Sequence, residues 1–531
     1  MEGEPSSRHR TLVRHPALLS LALGILAALG FAPLGVWPLT LVGLAAWLLL
    51  IHAAPTWRAA ALRGWLFGLG HFTTNNNWIQ HAFDFQDAMP PVLGYAAPIA
   101  LALYLALFPT LAAVITWRWR GTQRDASYAF VAGAAWIATE WLRGWLFTGY
   151  PWDPIATIWI DVPMVPRLAA LIGTYGLSGV TVAVAGSLIL VVEARRRGLP
   201  RSSLYGGTLI ACLMVGIVQI AGWALLPRPG IALAPDAPRL VVVQPNIGND
   251  QRVEQVPERS LSALLRLSGR PGRARRLIVW PEGLVYDLLE SGYPDIWYGA
   301  RPAEWVRRRL ARVLGPGDLL MTNAPTLTFD GAGEVAGAAN SVLAVRPDGT
   351  LSGRYDKAHL VPYGEYLPMP WLLRPLGLAR LVPGGIDFQP GPGPRAINWP
   401  GVGPIGIQVC YEIVFSGRVV DRAHRPRLIF NPSNDAWFGA WGPPQHLAQA
   451  RLRAIEEGLP IVRATPTGIS AVIAADGAVL AQLPLGRAGT IDVPLPPALP
   501  PTLFSRLGNW AALIVALLMA GTAVAIRRRR R

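Results

Sequence analysis

Ile405-Gly406-Ile407-Gln408-Val409-Cys410-Tyr411-Glu412 reads as a buried β-strand that ends at a thiol, with a helical pattern continuing through Val420. A thiol at the point where a strand gives way to a helix is expected to feel the positive end of that helix, which lowers its pKa and favours thiolate. A second strand, Leu277-Ile278-Val279-Trp280-Pro281-Glu282-Gly283, ends the same way with a carboxyl group at its tip. One cysteine at a strand end is more often plain packing, so its company decides the reading. That company includes Lys357, the only lysine in a chain whose Lys and Arg number 48, set in Arg354-Tyr355-Asp356-Lys357-Ala358-His359-Leu360. Lys is a compact point charge with rotatable donors, whereas Arg is a planar fork, so a lone amine in an Arg-biased chain points to chemistry. Near Cys410 in an apolar pocket, Glu282 would have a raised pKa and serve as general base and then acid. The Lys357 ammonium would stabilise a thiolate and an oxyanion, together with a backbone N–H near Tyr411.

Composition sets these strands in a largely membrane-embedded protein, since 52% of residues are hydrophobic and only 15% charged. Apolar runs near Leu18–Ala32, Trp37–Ala53, Gly64–Ile79, Ala96–Trp117, Tyr128–Phe147, Leu168–Val192, Leu204–Leu226 and Trp510–Ile526 approach or reach the roughly 20 residues that cross a bilayer. From about Pro238 to Pro497 no comparable run occurs, and short β-type segments with Gly and Pro predict one globular domain with its own core. The expected domains are a seven-helix bundle over 1–226, a catalytic domain over 238–497, and a closing helix with a basic tail over 508–531. The net charge of +16 would suit nucleic acid, but the arginines cluster in alternate short loops: Arg8, Arg10 and Arg14; Arg58 and Arg63; Arg118, Arg120 and Arg124; Arg195 to Arg197 with Arg201; and Arg527 to Arg531. Under the positive-inside rule this predicts both termini in the cytoplasm and the large domain on the opposite face. The first run could also be read as a cleaved signal peptide. The turn-like Phe31-Ala32-Pro33-Leu34-Gly35-Val36-Trp37-Pro38 instead leads it into the second helix, which favours a retained span.

Two cysteines exclude a disulfide framework, and Cys212 in an apolar run reads as inert packing. No metal motif, phosphate loop or dinucleotide fingerprint is present, so no metal and no cofactor are expected. Within the bundle, Glu140 and Arg143 share a helix face and read either as an ion pair or as a lipid-headgroup contact.

The Glu282, Lys357 and Cys410 order resembles the nitrilase, or carbon–nitrogen hydrolase, superfamily. The whole chain is similar to its membrane-embedded branch, the apolipoprotein N-acyltransferase family. The likeness rests on Glu140-Trp141, Gly149-Tyr150-Pro151-Trp152, Val243-Gln244-Pro245-Asn246, Trp280-Pro281-Glu282, His359-Leu360-Val361-Pro362-Tyr363-Gly364-Glu365, Cys410-Tyr411-Glu412, Ser433-Asn434-Asp435-Ala436-Trp437-Phe438-Gly439, Gln445-His446 and Gly508-Asn509-Trp510. It implies an extracytoplasmic α-β-β-α sandwich beside about eight transmembrane helices in a bacterial inner membrane. It also implies a Glu–Lys–Cys triad, a phospholipid acyl donor, a Cys410 thioester and a diacylglyceryl-cysteine lipoprotein as acceptor.

By matching position, the resemblance makes Glu365 and Glu412 supports for Lys357, Tyr411 a support of the oxyanion side or acyl chain, and Asn340 a residue near the site. Trp437 and Phe438 either line an acyl groove or pack beneath their loop, and His446 reads as structural. Two departures leave the triad intact. A Trp usual after the Gln-Pro-Asn strand has no counterpart in Ile247-Gly248-Asn249-Asp250-Gln251-Arg252, and a paired Asn reads Thr465-Pro466-Thr467-Gly468. Two other readings compete: a membrane-anchored amidase or nitrilase in which water resolves the acyl-enzyme, and a transporter with an appended domain. The bundle favours transfer over hydrolysis, because a phospholipid must enter from the bilayer. The transporter leaves Lys357 and Cys410 unexplained.

Overall fold

Apolar residues on both faces of consecutive short strands force a layered arrangement, and the protein builds two such sheets. The computed structural model describes residues 15–85, 89–121, 125–196, 237–248, 256–378 and 387–529. The chain divides into one unit of Met1–Asn77, Tyr95–Leu226 and Leu507–Arg531, and a second of Trp78–Gly94 and Pro227–Arg506.

The first sheet of the second unit contains β1 (Arg239–Gln244), β2 (Arg276–Val279), β3 (Leu319–Phe329), β4 (Val335–Val345), β5 (Leu351–Asp356) and, paired to β1, a last strand Gly489–Pro494. β1, β2 and β3 run parallel, and β4 and β5 fold back antiparallel. The second sheet comprises β6 (Ala396–Trp399), β7 (Gly403–Ile407), β8 (Leu428–Pro432), β9 (Ile461–Ala464), β10 (Ser470–Ile473) and β11 (Val479–Leu483), and Gly489–Pro494 is β12. Alternation decides which face each residue covers. Val241, Val243, Ile278, Leu320 and Leu343 pack with Leu261 and Leu264 of the helix Val256–Leu267, and with Val306 and Leu310 of Ala303–Ala311. Their neighbours Val242, Leu277, Val279 and Val342 are equally buried on the opposite face. Gln244 ties the sheets together, accepting from Thr465 Oγ1 at 3.2 Å and from the Ser470 N–H at 3.0 Å.

β2 is anchored at its start by Arg276, whose Nε and Nη2 donate to Asp318 Oδ2 at 3.0 and 2.7 Å. Its other donors reach the carbonyls of Ser268, Arg270 and Val313. Asp318→Ala leaves that buried guanidinium without its carboxylate, so the second unit is expected to lose about 3–5 kcal/mol. Denaturant unfolding followed by tryptophan fluorescence checks this.

In the first unit, helices form at Pro16–Ala28 (α1), Trp37–His52 (α2), Trp57–Asn75 (α3), Leu93–Leu105 (α4), Leu107–Trp119 (α5), Ala126–Arg143 (α6), Ala169–Arg196 (α7) and Trp510–Arg528. Three segments among the described residues, Leu93–Trp119, Val165–Ile189 and Trp510–Arg528, are long and apolar enough to cross a membrane, and α1 and α2 are shorter apolar helices. The run Leu204–Leu226 and Cys212 lie outside the described residues. Close approach of α1 to α3 needs small residues: a Cβ at Gly24 would strike the Phe67 carbonyl, and one at Gly70 the Leu21 carbonyl.

Candidate active site

Each member of the predicted triad stands just past the end of a strand, which is where a sheet presents side chains to an edge crevice. Glu282 follows β2, whose ladder is prolonged by the Trp280 N–H donating to Met321 O at 3.0 Å. Lys357 follows β5, its own N–H held by Asn340 O at 2.9 Å. Cys410 follows β7, prolonged by the Gln408 N–H donating to Phe430 O at 3.0 Å. All three side chains are buried.

The Lys357 ammonium donates to Glu365 Oε1 at 2.9 Å and lies 3.7 Å from Glu282 Oε1. Asn340 bridges the two carboxylates, its Nδ2 donating to Glu282 Oε1 at 2.8 Å and to Glu365 Oε1 at 2.9 Å. The Val361 N–H holds the other Glu365 oxygen at 2.8 Å. Burial alone would depress the Lys357 ammonium, but Glu365, then Glu282 and Cys410, outweigh it and raise its pKa, so it is permanently charged. Burial pushes Glu282 up; Lys357 opposes this and Glu365 adds to it. Glu282 Oε2 is buried without a hydrogen bond of sound geometry. Hydrogen bonding with the Cys410 thiol is among the influences holding the Glu282 pKa down.

Cys410 departs from the expectation drawn from the sequence. Only a single 3₁₀ turn, Cys410–Val414, follows the strand. Burial and then the Glu282 charge push the thiol well up, against Lys357 and an N–H from Asn434. A short turn supplies too little dipole to offset desolvation, so the thiol is pushed up and not down. Cys410 also has φ +50°, a left-handed conformation costing roughly 1–3 kcal/mol for a residue with a Cβ.

Glu412 rivets the turn that carries Cys410 to the lysine loop. It accepts from the N–H groups of Val409 at 2.7 Å, Ala358 at 2.7 Å and His359 at 3.0 Å, and from Tyr355 Oη at 2.8 Å. Burial pushes its carboxyl up to about 7 despite these donors. The Tyr411 ring packs edge-on against Phe415 and near His359. Phe438 is buried with its ring edge-on to Trp78 at 4.6 Å, and Trp437 meets Phe85 at 5.3 Å, contacts that pack these aromatics against the 78–85 segment.

Glu140 and Arg143 lie buried in the first unit, 3.9 Å apart. Glu140 accepts from Trp136 Nε1 and the Ile155 N–H, and Arg143 donates to Trp152 O at 2.7 Å. These partners are protein groups of the same unit.

Two comparisons with known proteins bear on this arrangement. The model of the apolipoprotein N-acyltransferase N-terminal domain matches residues 23–187, and that of the carbon-nitrogen hydrolase domain matches residues 250–499. The apolipoprotein N-acyltransferase of Rhodopseudomonas palustris is 34% identical, over 95% of this chain and 94% of its own. That of Caulobacter vibrioides is 35% identical over 96% and 94%. The chain belongs to the apolipoprotein N-acyltransferase family. It is therefore an acyltransferase by family, with a nitrilase-like domain. Among solved structures, Saccharomyces cerevisiae Nit3, a member of branch 10 of the nitrilase superfamily, is 17% identical, with a TM-score of 0.35 over 51% of this chain and 93% of its own.

Sequence reading missed several groups that this acyltransferase places around the triad. Asn323 Nδ2 donates to Asn340 Oδ1 at 2.5 Å, while its Oδ1 accepts the Gly283 N–H at 3.0 Å. The Asn340 amide is thereby turned with its nitrogen toward the carboxylates. The available signal was an amide side chain inside the mostly apolar run Leu319-Leu320-Met321-Thr322-Asn323-Ala324. His446, read as structural, reaches the Cys410 carbonyl through Nε2 at 3.1 Å.

Proposed function

We propose that this protein transfers an acyl chain from a phospholipid to the α-amino group of the N-terminal diacylglyceryl-cysteine of lipoproteins, through a thioester on Cys410. The observation that carries the reading is the buried juxtaposition of Cys410, Glu282 and a Lys357 held charged by two carboxylates, in a chain of this family. In the first half-reaction Glu282 takes the thiol proton and the thiolate attacks the phospholipid ester carbonyl. Lys357 and a backbone N–H near Tyr411 hold the oxyanion. The intermediate collapses to the thioester, and the departing lysophospholipid oxygen takes the proton back from Glu282. In the second half the lipoprotein amine attacks the thioester and gives its proton to Glu282. The sulfur leaves as thiolate and is reprotonated from the same carboxyl group. Glu365 and Asn340 keep Lys357 and Glu282 in register, and Glu412 holds the two loops together. The proposed setting is a bundle of about eight helices over 1–226 and 508–531 in a bacterial inner membrane, with both termini cytoplasmic and the 238–497 domain extracytoplasmic.

The test is a mass spectrum of a diacylglyceryl-cysteine peptide after incubation with the purified full chain and a phospholipid. A gain of one acyl chain on the peptide amine is expected. An unmodified peptide with released fatty acid would make the protein a hydrolase and overturn the assignment of acceptor.

The pH dependence has a defined sign. Glu282 accepts a proton only as carboxylate, and burial raises its pKa. The donor kcat/KM is therefore expected to fall as pH drops through a value above the ordinary carboxylate range of about 4.3. A pH–rate profile measured under single-turnover conditions locates that limb.

A further inference from the structure

A chain of buried side chains runs from Cys410 deeper into the second unit, to which all its members belong, and the acyl-transfer steps above do not use it. It begins at His446, on the helix Gly442–Glu457, whose ring is fully buried. His446 Nε2 is 3.1 Å from the Cys410 carbonyl oxygen. On its far side Nδ1 lies 3.1 Å from Asp435 Oδ1 and 3.0 Å from Arg463 Nη2. The same Arg463 nitrogen holds both Asp435 oxygens at 2.6 and 2.7 Å, and Arg463 Nη1 holds Asn431 Oδ1 at 2.6 Å.

The hydrogen-bond inventory places a proton on Nε2. A carbonyl oxygen only accepts, so Nε2 must carry the proton that faces Cys410. Burial, and then the Arg463 charge, push the imidazole down to about 4, against the Asp435 carboxylate, which draws it up. On the far side Nδ1 meets both the Asp435 carboxylate and the Arg463 guanidinium, and Arg463 neutralises Asp435. The ring is also walled by Phe438, edge-on at 5.7 Å.

In a trans peptide the C=O and the following N–H point in opposite directions. Holding the Cys410 oxygen on His446, with Asn431 Nδ2 at 3.5 Å as a second donor, therefore sets the direction of the Tyr411 N–H. Such a restraint is needed because Cys410 sits at φ +50°, which a residue with a Cβ keeps only when its surroundings impose it.

We propose that His446 is a positioning residue for acyl transfer, holding the Cys410–Tyr411 peptide so that the Tyr411 N–H faces the oxygen of the acyl carbonyl attacked by or bonded to Cys410. The inference rests on the acyl-transfer reading. Asp435 and Arg463 act one step further out, by fixing the orientation of the imidazole through its Nδ1 edge.

Two isosteric variants test it in the purified full chain. The amide nitrogen of a glutamine falls near the place of Nε2, and that of an asparagine near Nδ1. His446→Gln keeps a donor for the Cys410 carbonyl and is expected to retain kcat to within about fivefold. His446→Asn removes that donor and is expected to lower kcat about 100-fold, the effect of an ångström-scale misplacement of reacting groups. The KM for phospholipid and the acid limb of the pH profile should stay put in both variants, because His446 neither binds the lipid nor accepts the proton. A wild-type kcat in His446→Asn would overturn the proposal. So would equal losses in the two variants, including failure of both to fold, which would make the ring a structural element only. A wild-type protein that acylates no peptide would refute the acyl-transfer reading itself, a separate outcome visible before any variant is made.

Discussion

Cys410→Ser is expected to lower N-acyl transfer by at least about 10⁴-fold and to erase the acyl adduct on the intact protein. The sulfur is buried, and its pKa is raised by burial and by Glu282. Proton removal is therefore already costly for the thiol, and a hydroxyl in the same place is several units less acidic. Glu282, a carboxylate whose own pKa is raised only by its surroundings, cannot deprotonate a serine to a useful extent. Serine is close to cysteine in size, and the Cys410 carbonyl contacts with His446 and Asn431 involve only backbone on the Cys410 side, so the fold should survive. Intact-protein mass spectrometry after exposure to phospholipid alone provides the measurement. Wild type should gain one acyl chain and the variant none. An adduct of the same mass on Cys410→Ser would place the acyl group on another residue and remove the thioester from the mechanism.

The reasons some residues could be read from sequence and others could not are physical. Glu282 and Cys410 were legible because each is a reactive group directly after a short apolar strand, and Lys357 because it is chemically singular in an Arg-rich chain. Glu365 and Glu412 followed from the resemblance, at positions flanking those segments. Asn323 was not legible, because its role depends on a partner across the β3–β4 ladder, where Asn323 pairs with Val342 and its amide meets Asn340. His446, Asp435 and Arg463 come from an α-helix, a 3₁₀ turn and a strand that only the folded second sheet brings together. The helix expected after Cys410 did not form beyond one turn, although Tyr411–Val420 carries apolar residues at helical spacing. Gly417, at φ +76°, turns the chain there. The thiolate expectation failed with it, since burial dominates where a long helix dipole is lacking. In the first unit the run Ala96–Trp117 was legible as apolar, but its division into α4 and α5 at Ala106 was not.

Lys357→Arg is expected to lower turnover about 10³-fold although it preserves the charge, the scale of losing one preorganised oxyanion donor. The Nζ atom is 1% exposed by side chain and sits between Glu365 Oε1 at 2.9 Å and Glu282 Oε1 at 3.7 Å. It donates from a single point, so one ammonium can hold Glu365 while still facing the sulfur and the developing oxyanion. A guanidinium presents its donors in a plane and prefers to engage one carboxylate with two of them. It would pair side-on with Glu365 or Glu282, and either choice withdraws charge from Cys410 or ties up the oxygen that must receive the thiol proton. The larger group also overfills a closed site, at about 1–3 kcal/mol. Thermal unfolding beside the kinetics separates that cost from the chemical one. A variant that folds, keeps its phospholipid KM and loses kcat fits the oxyanion role. One with wild-type kcat would show that position 357 requires only a positive charge, and the singular lysine would lose its chemical explanation.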